Sequence, residues 1–171
     1  RKFVWPEDSA PGKILVCLSE IRPAGSIRRP FVNVKEQKNM RKIGLSEIED
    51  IALGASLLGA GGGGDPYVGK LVAIGAVREC GPVTLLEPDE VPDDALVMPI
   101  AMMGAPTILG EKTIGEHEYQ NLYEMVSKFF GRQVYAFMPM EAGGVNSMLP
   151  IAAAARLGLP LVDADGMGRA F

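Results

Sequence analysis

From Ile48 to Leu58 the apolar positions Ile48, Ile51, Ala52, Ala55 and Leu58 recur at helical spacing, which predicts an amphipathic helix. Ser46 and Glu49 read as its capping box and Gly59 as its stop. A second helix opens with Asp65 as N-cap and Pro66 as first helical residue, and runs through Tyr67, Val68 and Leu71. The turn Cys80-Gly81-Pro82 then leads into a short strand, Val83 to Glu87, and a charged surface loop from Pro88 to Asp94. Ala95 to Met102 is apolar without alternation, the pattern of a strand buried on both faces, and it ends at Gly104-Ala105-Pro106. A third helix is predicted over Glu116 to Phe130, with Tyr119, Leu122, Val126, Phe129 and Phe130 as its apolar stripe and Gly131 as its end.

The last forty residues carry the strongest topological signal. Gln133 to Met138 reads as a strand, Glu141 to Asn146 as a glycine-rich turn, Ser147 to Leu157 as a helix closed by Gly158 and Pro160, and Leu161-Val162 as the next strand. A strand, a helix and a strand in that order make a crossover, so the expected fold is α/β: a mostly parallel sheet flanked by helices. In such a sheet ligands bind outside the carboxyl ends of the strands. That edge would hold Glu141, Gly143, Gly144 and Asn146 after one strand, and Asp163, Asp165, Gly166, Met167 and Arg169 after the next. Gly104, Ala105 and Thr107, after the buried strand, are candidate wall residues by the same rule, or simple turn chemistry.

Charge divides the chain. Residues 1 to 39 are net +4 and residues 40 to 171 net −8. An acidic body with few aromatics argues against nucleic acid and anionic membranes as partners. No apolar run reaches spanning length and no signal peptide opens the chain, so a cytoplasmic setting is expected. Cys17 and Cys80 are then expected to be reduced and buried. Residues 1 to 39 hold one strand-like run, Ile14 to Leu18, among several prolines. Two readings of this segment stand: a leader before a natural start at Met40, or a short strand added to a sheet edge with a basic linker behind it. The domain proper is placed at 40 to 171.

The stretch Leu58 to Pro66 contains five glycines and fits G-x-G-x-x-G at Gly59, Gly61 and Gly64, with Glu87 further on. A capped helix precedes it where a dinucleotide fingerprint needs a strand, and Asp65 would repel a pyrophosphate, so no nucleotide is expected. A P-loop fails because Asp65-Pro66 stands where Lys and Ser/Thr are required. The loop is either a tight turn between helices or, given four consecutive glycines, a ligand-facing loop. His117, the only histidine, reads as an exposed residue of a helix start. Asp163-x-Asp165 followed by Arg169 suits a divalent metal, a general base or an internal salt bridge.

Four segments in order resemble one family: Gly61-Gly62-Gly63-Gly64-Asp65-Pro66-Tyr67; Met103 to Thr107 with Glu111-Lys112; Glu141 to Asn146; and Leu161 to Phe171. They are similar to the S-methyl thiohydantoin desulfurase family, over roughly residues 40 to 171. The resemblance implies the N-terminal domain of a normally two-domain protein, with a missing C-terminal domain after Phe171. It also implies hydrolysis of a thiohydantoin or hydantoin-type ring, with release of methanethiol from S-methyl thiohydantoin. Family members are often encoded near hydantoinase or oxoprolinase proteins, so a hydantoinase-type partner or a homo-oligomer is a further expectation, as is a non-catalytic fragment or subunit. For such chemistry amides around Gly62, Gly63, Gly143 and Gly144 would be donors, Gly64 a further substrate-binding residue and Asn146 an orienting amide. Asp163 or Asp165 would be base or ligand to a divalent metal, and Arg169 the anion partner.

Overall fold

The computed structural model describes residues 13–15, 41–104, 111 and 115–170. Cys17, Thr107 and Lys112 lie outside the described residues. The strands are β1 (Lys13–Leu15), β2 (Arg41–Ile43), β3 (Val83–Leu86), β4 (Val97–Met103), β5 (Ala136–Pro139) and β6 (Leu161–Val162). The helices are α1 (Leu45–Leu58), α2 (Pro66–Cys80), α3 (Glu116–Phe130) and α4 (Gly144–Leu157). In the sheet the strand order is β1-β4-β5-β6-β3-β2. The pairs β4–β5, β5–β6 and β6–β3 are parallel, and β1 and β2 close the two edges antiparallel to β4 and β3. The mostly parallel α/β sheet read from the sequence is the sheet observed. Ile14 pairs with Met102 on the β4 edge, so part of the strand-like run near the N-terminus does add to the sheet.

Helix α4 is the centre of the packing. It touches α1, α2, α3 and strands β3 to β6, and every residue from Met148 to Ala155 is buried. A helix apolar on all sides belongs in the interior, and its run Ala152 to Ala155 keeps it thin enough for neighbours to approach. Gly69 of α2 does so: a Cβ there would lie 2.9 Å from the Val145 Cα. Val83, Leu85, Met98, Ile100, Phe137 and Leu161 bring the strands into the same core.

Helix boundaries show where local signals were overruled. The cap of α1 is Gly44, one step before the helix, and Glu47 reaches back to the Gly44 N–H at 2.8 Å. The box read at Ser46 and Glu49 is therefore displaced: Ser46 donates to Glu47 at 2.8 Å, and Glu49 pairs with Lys70 of α2 at 2.9 Å. At α2 the expected cap is observed, with Asp65 accepting from the Tyr67 N–H at 2.8 Å. Helix α3 has its predicted bounds, although Phe129 of its predicted stripe is 68% exposed. Helix α4 begins at Gly144, inside the predicted turn, because a carbonyl from another segment caps it.

Candidate active site

The carboxyl ends of the four parallel strands give one rim, in the order Met103-Gly104, Glu141, Asp163, Glu87. At its centre β5 peels away to start α4. Its backbone is taken up by the loop after β6: Gly166 N–H donates to Met140 O at 3.0 Å, Ala142 N–H to Gly168 O at 2.8 Å, and Ala170 N–H to Ala142 O at 3.0 Å. The two loops singled out in the sequence therefore run side by side on one rim, with Ala142 and Arg169 bridged in parallel.

The departure of β5 leaves Met102, near the end of β4, without a strand partner on the side away from β1. Asn146 replaces it. Its Oδ1 accepts from the Met102 N–H at 2.8 Å, and its Nδ2 donates to the Met102 carbonyl at 3.3 Å. A side-chain carboxamide has the donor and acceptor of a peptide group, so it continues the ladder where the backbone has turned away. The other Nδ2 hydrogen goes to Glu141 Oε1 at 2.7 Å. Asn146 is only 5% exposed, the one buried polar residue of the described core, and these three bonds satisfy it.

The glycine loop also reaches the rim. The Gly63 carbonyl accepts from Val145 N–H at 2.7 Å and Asn146 N–H at 3.3 Å, capping α4, and Gly143 N–H donates to Ser147 Oγ at 3.1 Å. Gly63 and Gly64 have φ of 83° and 81°, and a Cβ on Gly63 would sit 2.7 Å from the Gly143 Cα. The close approach that these glycines allow is to the chain's own helix. Gly62, Gly63 and Gly64 are half-exposed, while Gly143 and Gly144 are buried. The dinucleotide geometry is indeed missing at this loop, since α1 precedes it and α2 follows.

The remaining rim charges have partners of their own. Arg41 of β2 donates to Glu87 at 2.9 Å and to Asp163 at 2.6 Å. Its pKa is pushed up by the hydrogen bond to Glu87 first, then by Asp163. All three side chains are well exposed, so solvent screens the pairing. Asp165 Oδ1 accepts from the Met167 N–H at 3.1 Å and from the Gly168 N–H, closing its own turn. Gly104 is exposed at the end of β4, and Met167 and Arg169 are exposed on the loop after β6. No hydrogen bond joins Asn146 to Asp165 among the described residues, although both stand on the same rim. Nor, among the described residues, do three His, Cys, Asp or Glu side chains cluster in a way that could hold a metal ion.

Sequence reading missed Arg41, whose partners lie 46 and 122 residues away and leave no local signal. Glu141 was visible within its motif, but its link to Asn146 follows from the place where β5 ends.

Comparison with known proteins agrees with this architecture. A protein from Chromobacterium violaceum, solved by X-ray crystallography, is similar with a TM-score of 0.62 and 26% identity. The match covers 77% of this chain and 36% of that one, so the chain spans about a third of that protein's length. No curated protein matches the chain. The family of S-Me-THD-like N-terminal domains matches residues 46–171, from the first turn of α1 to the loop after β6. The chain therefore belongs to the S-Me-THD-like N-terminal domain family.

Proposed function

We propose that this domain forms the substrate-facing half of a hydrolase acting on a thiohydantoin or hydantoin-type ring, with S-methyl thiohydantoin as the model substrate. The observation that carries the reading is the pairing of the loops after β5 and β6, which sets Glu141, Asp165 and Arg169 along one edge. Open α/β sheets place small ligands there. In the reaction a water oxygen bonds to the ring carbon bearing sulfur, and the C–S bond breaks. One water proton ends on the leaving sulfur as methanethiol and the other on the ring nitrogen. The rim offers the carboxylates Glu87, Glu141, Asp163 and Asp165 for proton transfer, and Arg169 for negative charge developing on the ring. Gly104 and the half-exposed Gly62 to Gly64 form the wall.

The share of the relative's chain left uncovered supports a site completed by a further domain. A cytoplasmic setting belongs to the same reading; Cys80 is exposed, where the sequence led us to expect it buried. Methanethiol release from S-methyl thiohydantoin is the test, with the full-length protein and the 171-residue chain measured side by side. Full-length protein is expected to release methanethiol, and the short chain to be weaker by at least about 100-fold through lost positioning. If the full-length protein neither releases methanethiol nor opens hydantoin, the reading is wrong. A domain that serves only as a subunit would instead gain activity on adding a hydantoinase-type partner.

A further inference from the structure

We propose that Glu141 is the general base of the rim, and that Asn146 is its positioning residue. The proposal rests on the hydrolytic reading above. Glu87 and Asp163 are both tied to the Arg41 guanidinium. Asp165 turns its Oδ1 onto the amides of Met167 and Gly168, so that oxygen is committed to shaping its own loop. Asp65 caps α2. Glu141 has no guanidinium against it, and unlike the exposed Asp165 it is half-buried and held by a side chain of the core. Among the described residues its only side-chain partner is a neutral amide, Asn146 Nδ2 at 2.7 Å on Oε1. Its Oε2 has no hydrogen bond among the described residues.

The same residue is held from two directions. On either side of Glu141 the backbone is bonded to the loop after β6, through Met140 O and Ala142 N and O. The side chain is held by Asn146, which is itself fixed to the Met102 backbone and buried in the core. A half-exposed carboxylate with one oxygen tethered and the other open is preorganised to take a proton from a bound water. Glu141 Oε2 takes one proton from water as the C–O bond forms, methanethiolate leaves with the C–S electron pair, and that proton passes to sulfur. The second water proton goes to the ring nitrogen. A carboxylate present only to satisfy Asn146 would be replaceable by any acceptor, and this supplies the test.

In the full-length protein, Glu141→Gln keeps an oxygen that can accept from Asn146 but removes the base. It is expected to lower kcat for methanethiol release by about 100-fold or more, the usual range for a general base, with KM within about three-fold. Asn146→Asp keeps the acceptor for the Met102 N–H and places a like charge against Glu141. An ionised aspartate cannot donate to Glu141, so the tether is lost and kcat should fall by about 10-fold or more with KM within about three-fold. Active wild type with Glu141→Gln at wild-type kcat overturns the base assignment and leaves the hydrolytic reading standing. Wild-type kcat in Asn146→Asp overturns the positioning role. Wild type inactive on both S-methyl thiohydantoin and hydantoin refutes the hydrolytic reading, and this proposal with it.

Discussion

Two glycines in this chain face opposite circumstances, and the contrast is measurable. A Cβ on Gly144 would collide with the carbonyl oxygen of Gly64 and stand 2.8 Å from the Pro66 nitrogen, both of them backbone. Gly144→Ala must therefore push the α1–α2 loop off the start of α4. A loss of about 1–3 kcal/mol is expected in urea unfolding, the scale of overpacking elsewhere. Gly75 lies within α2 and a Cβ there would meet nothing within 4 Å. Gly75→Ala should raise stability by up to about 1 kcal/mol, the helix-propensity difference. Equal effects of the two substitutions would contradict the packing described. The glycine count pointed to a special loop, but which glycines touch backbone could be learned only from the folded chain. Gly63 and Gly143 are eighty residues apart in sequence, and their contact has no local signature.

At the scale of elements, helix starts carry a pH dependence. The pKa of Glu47 is lowered by the hydrogen bond from Ser46, then by its own N–H and by that of Gly44. A carboxylate depressed in the folded state contributes stability that is present above its unfolded pKa and lost as pH falls through the folded value. The Tm difference between wild type and Glu47→Gln should be present at about pH 7 and vanish on acidification below about pH 4. A difference that persists in acid would show that the carboxylate's charge is not what caps α1. Element existence was legible from periodicity and from stop residues such as Gly59, Gly131 and Gly158. Boundaries were not, because the starts of α1 and α4 are capped by groups that local sequence does not rank: a glutamate accepting from Gly44 N–H, and the Gly63 carbonyl accepting from Val145 and Asn146 N–H.

Across the whole molecule, stability should be graded outward from α4. The amides of Ile151 to Ala155 lie in a helix that touches α1, α2, α3 and four strands, and opening them requires the core to open. They should be the slowest to exchange with deuterium, while the α1 amides near Leu53 and Leu57, which are 75% and 76% exposed, exchange faster. Fast exchange throughout α4 would be inconsistent with its central place. Among the described residues no helix is long and apolar enough to cross a membrane. By itself the sequence determined the α/β class, the order of the elements and the crossover that puts Glu141 and Asp165 at one rim. Those properties rest on period, caps and chain direction, which are local. Only the tertiary structure decided that Gly63 caps α4, that Arg41 holds Glu87 and Asp163, and that Asn146 completes the β4 ladder while tethering Glu141. Each of these joins groups distant in the chain or depends on where a strand leaves its sheet, and a backbone donor finds its partner only after the segments have packed.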